Sequence, residues 1–182
     1  MNIISWNVRG LGGPTKNHLV RDFLAQYKPN IICIQESKLE VIVRPTWRAI
    51  VGSSLNCFSA AAATGSSGGM IIGRNGSLFH GNLFHSGPYC LTVEFVSVHD
   101  QIKWHCTTVY GPNARNLKLD FWAEIRSCKP PSGIPWIIYG DFNTIFSSMD
   151  KNSGNICWDD IYNGQALLRD LDLVDLRLHG RL

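Results

Sequence analysis

A chain of 182 residues suits one domain and can bury a real core without disulfide or metal staples. Seventeen Lys and Arg stand against fourteen Asp and Glu, and the net +3 tolerates an anionic partner without announcing one, unlike a strongly basic chain. The six cysteines stand singly with no C-x-x-C pair, and the histidines are not at zinc-finger spacing, so a zinc ribbon and a disulfide framework are both set aside.

No apolar run approaches a membrane span, and the N-terminus lacks the apolar region of a secretory signal. The expectation is an intracellular protein with no membrane partner and no readable address; the nucleus is compatible with this.

In chain order, Asn2 to Trp6 reads as a strand, followed by a glycine-rich loop from Asn7 to Pro14. Thr15 or Asn17 can cap a helix whose apolar stripe is Leu19, Val20, Phe23, Leu24 and Tyr27, stopped by Pro29. Ile31 to Ile34 is a second, buried strand ending at Gln35-Glu36-Ser37, and the two strands should lie parallel across their helical connection. Trp47 to Val51 reads as a strand, and the Ala-rich stretch from Ser59 to Ser67 as a loop. Gly68 to Gly73 is strand-like, and Asn75-Gly76 turns into Ser77-Leu78-Phe79. Tyr89 to Val98 pairs with Ile102 to Tyr110 across His99-Asp100-Gln101, which makes the sheet mixed.

Asn113 can cap a helix in which Leu117, Phe121, Trp122 and Ile125 share a face. After Pro135-Trp136, the run Ile137-Ile138-Tyr139 reads as a buried strand closing on Gly140-Asp141-Phe142-Asn143. Alternation sends Asp141 and Asn143 to one side and Phe142 into the core; Trp6, Trp136 and Phe142 are expected to be largely buried. A helix pattern weakened by Gly164 spans Asp159 to Leu171, and Val174 to Leu178 could begin another strand.

Polar side chains therefore gather at strand ends: Asn7, Glu36, and Asp141 with Asn143, with Tyr110 before Gly111-Pro112 as a further contributor. Oxygen donors of this kind suit a hard cation such as Mg²⁺, which needs only one or two carboxylates and keeps its waters. Glu36 would be the principal ligand, Asp141 would orient and deprotonate a water, and the two amides would hold a phosphate oxygen. Taken singly, each has a plainer role: Asn7 as a turn residue, Glu36 as a solvated strand end, Tyr110 as a packing residue. Arg9 and Lys16 could meet phosphates, though scattered surface cations are commoner.

The ordered set Ser5-Trp6-Asn7-Val8-Arg9-Gly10-Leu11, Gln35-Glu36-Ser37, Val109-Tyr110-Gly111-Pro112 and Gly140-Asp141-Phe142-Asn143 resembles the successive motifs of the endonuclease/exonuclease/phosphatase family. The wording Asn-Val-Arg-Gly-Leu, with Leu173-Val174-Asp175-Leu176 and His179-Gly180-Arg181, is most similar to endonuclease domains of plant LINE-type retrotransposons. The resemblance implies an α/β fold, the DNase I-like sandwich of two mixed β-sheets flanked by helices. By it, Glu36 matches the metal-binding glutamate, and Asn7 the asparagine near metal and phosphate. Tyr110 matches the tyrosine that contacts the scissile phosphate, Asp141 the aspartate that positions water, and Asn143 its partner. Mg²⁺ or Mn²⁺ is the implied cofactor and DNA the implied partner of the intact domain.

The family pattern continues through an Arg-x-Asp segment to Ser-Asp-His, for which this sequence has no counterpart; His179 does not match it. The expectation is a single domain over residues 1–182, incomplete at its C-terminus and with its last strands missing, whose DNA nicking is impaired. Two rivals stand beside it: a phosphatase or phosphodiesterase of the same fold, and a non-catalytic remnant.

Overall fold

The computed structural model describes residues 1–64, 67–150 and 156–176. Strands Ile3–Asn7 (β1) and Ile31–Gln35 (β2) run parallel, joined by helix Pro14–Tyr27 (α1), as a crossover connection requires. Proline fits the first helical turn because its missing N–H is not needed there, and the cap is Gly13 rather than Thr15 or Asn17. The buried stripe of α1 is narrower than its sequence suggests: Val20 and Leu24 are buried, whereas Leu19 and Tyr27 are exposed.

Two segments differ in type from their reading. Residues 47–51, read as a strand, belong to helix Arg44–Val51 (α2), in which Trp47, Ile50 and Val51 bury one face at helical spacing. The Ala-rich stretch read as a loop is strand Cys57–Thr64 (β3), antiparallel to Ser67–Arg74 (β4). Alanine has little strand preference of its own, so the ladder to β4 and the burial of Ala61 and Ala63 decide the conformation.

The first sheet has the order β1-β2-β4-β3. Asn75-Gly76 then carries the chain out of it into Phe79–Ser86 (β5), which pairs with Cys90–Ser97 (β6) and not with β4. The hairpin of β6 with Lys103–Tyr110 (β7) forms as read, and Trp136–Asp141 (β8) adds parallel to β7. The second sheet is thus β5-β6-β7-β8. Helix Lys118–Ser127 (α3) follows a short 3₁₀ turn, Arg115–Leu117, so Asn113 caps neither. Helix Trp158–Leu171 (α4) keeps Gly164 because a Cβ there would stand 2.9 Å from the Phe146 ring. Residues 173–176 form no strand, and the rest of the segment read as one, with His179, lies outside the described residues.

The two mixed sheets pack face to face with helices outside them. Ile31, Cys33, Met70, Ile72, Val93, Phe95 and Cys106 fill the layer between the sheets. Cys33 and Cys106 are fully buried with their sulfurs 3.7 Å apart, behaving as the small apolar residues their strand positions suggested. Alternation turns Ile32 and Ile34 outward onto α1 and α2, and the second sheet contributes Cys90 and Val109 to the layer under α3 and α4.

The apolar run predicts a buried strand at β8, yet every residue of it is half-buried. Its faces are both covered, Ile137 and Tyr139 by the inter-sheet layer and Trp136 and Ile138 by the helical layer. That explains the unbroken apolar run. Its exposure comes from its place at the sheet edge among the described strands. Trp6, on the edge strand β1, and Phe142 are half-buried for related reasons, Phe142 resting on Phe121 and Phe146.

Candidate active site

β1 runs parallel to β2 and β7 to β8, and the contact between Asn7 and Asp141 brings the carboxyl ends of both pairs to one side of the sandwich. Asn7 lies opposite Gln35, one residue short of Glu36, and Tyr110 lies opposite Asp141. Packing of the sheets then closes the gap between these pairs. The Asn7 amide Nδ2 donates to Glu36 Oε1 at 2.8 Å and to Asp141 Oδ2 at 3.0 Å. One carboxamide therefore bridges two carboxylates that are 105 residues apart in the chain (141 − 36).

The second carboxylate is fixed on its other side. Asp141 Oδ1 accepts the Asn143 backbone N–H at 3.0 Å, and the Asn143 amide donates to the Gly111 carbonyl at 2.7 Å. Gly111 returns its own N–H to the Asp141 carbonyl at 2.7 Å. A side chain at Gly111 would collide with the Phe142 carbonyl, so only glycine permits this approach.

The Tyr110 phenol is pushed up to about 12, first by burial and then by its hydrogen bond to Glu36 and the charges of Glu36 and Asp141, with Arg9 opposing. It is a neutral hydrogen-bond donor near neutral pH. Arg9 is the cation of the first loop that reaches this field; among the described residues Lys16 forms no hydrogen bond or ion pair with the cluster. The structure thus brings Asn7, Glu36, Tyr110, Asp141 and Asn143 into one constellation.

Arg9, Glu36, Lys38 and Asn143 all hold positive φ, between 47° and 55°. Each is a non-glycine residue in the left-handed region, a conformation costing of order 1 kcal/mol that tertiary contacts must hold in place. It tips the strand ends sharply so that Glu36 leaves the buried line of β2 and Asn143 doubles back over Asp141.

Two supporting residues escaped the sequence reading. Gln35, 1% exposed, donates to Thr108 Oγ1 at 2.6 Å and Ser5 Oγ at 3.1 Å, tying the two sheets directly beneath Glu36. The signal was available: alternation places Gln35 on the face of Ile31 and Cys33, inside the sandwich. Lys118, 6% exposed, donates through Nζ to the carbonyls of Phe142 at 3.1 Å and Asn143 at 2.6 Å. Its position at 118, with 121, 122 and 125, lies on the apolar face of α3, where a lysine needs a partner.

The donor set fits a hard divalent cation: two carboxylates linked through one amide offer oxygen ligands. Glu36 and Asp141 do not form a cage; among the described residues no three His, Cys, Asp or Glu side chains could close around an ion. An open site of this kind leaves most of a cation's shell to water and substrate.

A helix-flanked sandwich of two mixed sheets, with acid, amide and phenol at the carboxyl ends of its strands, defines a DNase I-like protein. The chain belongs to the endonuclease/exonuclease/phosphatase family, whose sequence profile matches residues 4–175. Nucleases of this family are generally dependent on a divalent metal. The chain is similar to the AP endonuclease LMAP from Leishmania major, with 17% identity over 92% of this chain and 66% of that one, at a TM-score of 0.71. It is similar also to the endonuclease domain of TRAS1, a telomere-specific non-LTR retrotransposon, with 13% identity over 93% and 71% of the chains and a TM-score of 0.67. The APE2 catalytic domain from Xenopus laevis matches at 16% identity, 93% and 67% coverage, and a TM-score of 0.65. The chain spans about two thirds of the length of these structures. Among the described residues no helix is long and apolar enough to cross a membrane.

Proposed function

We propose that the chain belongs to a DNA endonuclease of the kind LINE-type elements carry, hydrolysing phosphodiesters with a divalent cation, Mg²⁺ or Mn²⁺. The observation that carries this reading is the Asn7 amide bridging Glu36 and Asp141, since it sets a cation ligand beside a base. Family membership and the nuclease neighbours support phosphodiester hydrolysis. The Asn-Val-Arg-Gly-Leu wording supports a retrotransposon origin, and the TRAS1 endonuclease domain shares the fold.

Glu36 would hold the cation with help from the Asn7 side chain. The bound cation supplies charge neutralisation at a phosphate oxygen. Asp141, aimed by the Asn143 N–H and the Asn7 amide, orients a water and takes its proton as the oxygen attacks phosphorus, while the opposite P–O ester bond breaks and its departing oxygen takes a proton from solvent water. Asn143, anchored on Gly111, fixes Asp141 in that role. The Tyr110 hydroxyl, held neutral, donates a hydrogen bond to a phosphate oxygen as charge develops on it.

A second reading, a phosphatase of the same fold, stands beside it because the family includes phosphatases as well as nucleases. A panel of supercoiled plasmid, mannose 6-phosphate and phosphoinositides, each with Mg²⁺, Mn²⁺ or EDTA, separates the two. Nicking that is EDTA-sensitive and lost in both Glu36→Gln and Asp141→Asn is expected; release of phosphate from the small substrates alone would refute the nuclease reading. Paramagnetic broadening by Mn²⁺ gives a second readout, expected to weaken in Glu36→Gln.

A further inference from the structure

Beside Tyr110 lies an open cleft of about 330 Å³, lined by Gly68, Gly69, Pro88, Tyr89, Pro112 and Asn113. It shares Tyr110 as a wall with the carboxylate cluster and is fastened to that cluster by the backbone. The Ser37 N–H donates to the Gly69 carbonyl at 2.9 Å and the Lys38 N–H to Gly68 at 3.1 Å, directly after Glu36. On the other side the Tyr110 N–H donates to the Tyr89 carbonyl at 2.9 Å. Tyr89 is fixed further by the Glu124 carboxylate, which accepts its N–H at 3.3 Å, and by an edge contact of its ring with Phe121 at 5.8 Å. A Cβ on Gly69 would collide with Ser37 Oγ and crowd Ala63, so the glycine wall is kept bare.

The lining determines what can enter. Among the described residues it presents the rings of Tyr89 and Tyr110, two prolines, the Ala62 methyl, bare glycine backbone and one carboxamide, and no charged side chain. A second phosphate or a polyphosphorylated headgroup would find no cation among these lining residues. A flat neutral group finds an aromatic partner and a polar group to pair with. The volume is at the lower end of the ~300–1,000 Å³ typical of small-molecule sites.

We propose that this cleft receives one unstacked nucleobase, from the nucleotide adjoining the phosphate held at Glu36 and Asp141, with the base stacked against Tyr89. The proposal rests on the phosphodiester reading above and deepens it, because it assigns a base-contacting residue outside the carboxylate cluster. Stacking on an aromatic side chain is tolerant of base identity, so the cleft selects an unpaired nucleotide more than a sequence.

The test compares two short single strands of equal length and charge in EDTA, where no cleavage occurs: a labelled thymidine oligonucleotide and the same backbone with abasic tetrahydrofuran residues. Fluorescence anisotropy is expected to show the wild-type chain binding the base-bearing strand about 5- to 150-fold more tightly, the range of one base–aromatic stack. Tyr89→Leu, which keeps an apolar contact for Phe121, should reduce that preference to near unity without changing affinity for the abasic strand. Tyr89→Phe should retain it, and thermal melting of each variant verifies that it is folded. Equal wild-type affinity for the two strands, or a preference surviving in folded Tyr89→Leu, would overturn the proposal. Metal-dependent plasmid nicking run in parallel separates the two ideas: nicking without base preference sinks the cleft alone, and base preference without nicking supports the cleft while sinking hydrolysis.

Discussion

Replacing Lys118 with Met tests whether the loop after β8 is held from below by a buried cation. The ammonium sits on the first residue of α3, where the helix dipole opposes positive charge, and its burial lowers its pKa against the pull of Asp160 and Asp141. What retains it is the pair of bonds to the Phe142 and Asn143 carbonyls, at 3.1 and 2.6 Å. Hydrogen bonds from a charged donor contribute roughly 1.5–3 kcal/mol each, so two amount to about 3–6 kcal/mol gross. Removing the ammonium also relieves its desolvation, several kcal/mol for a buried ion. Water can reach the half-buried carbonyls left behind, so the net loss of stability should be about 1–2 kcal/mol. The rate should suffer more: Asn143, at φ 47°, loses the anchor on its carbonyl, and its N–H is what aims Asp141. A loss of about 100-fold in nicking is expected, the scale of a misplaced catalytic group. Urea unfolding gives the first quantity, and plasmid nicking at equal folded concentration the second. A variant more stable than wild type with unchanged nicking would refute the claim that Lys118 positions the loop.

Gly140 holds φ +142° and a Cβ there would collide with the Val109 backbone, so Gly140→Ala should destabilise by more than about 2 kcal/mol in chemical denaturation; a neutral result would contradict the register of β7 with β8. Phe142→Ala should cost about 1–3 kcal/mol in the same assay, less than the ~3–5 of a fully buried Phe, because the ring is half-exposed over Phe121 and Phe146. Burial pushes the Tyr139 phenol up to about 12. The folded value exceeds the unfolded one of about 10, so the stability from the neutral phenol is complete below about pH 10 and is lost as pH rises to about 12. Tyr139→Phe should abolish that part of the alkaline loss in urea midpoints measured across this window.

The segments legible in the sequence are those whose conformation is settled locally. Pro14 and Pro29 bracket α1, the length of the β1-α1-β2 connection dictates parallel strands, and His99-Asp100-Gln101 closes its hairpin between alternating runs. Polar residues placed where an apolar strand ends also stand out, which is how Asn7, Glu36, Tyr110, Asp141 and Asn143 could be gathered as candidates before any geometry. Partnering was not legible. Cys57–Thr64 becomes a strand only because β4 lies beside it, and Asn75-Gly76 changes sheets although its sequence suits a hairpin. Gln35 and Lys118 show their purpose only against Thr108 and the Asn143 carbonyl, groups on other elements. Local sequence set each candidate side chain at the mouth of its strand. The packing of two separate sheets decided that Asn7 should meet Asp141, 134 residues away, because burial of the layer between them is a property of the whole chain and not of either strand.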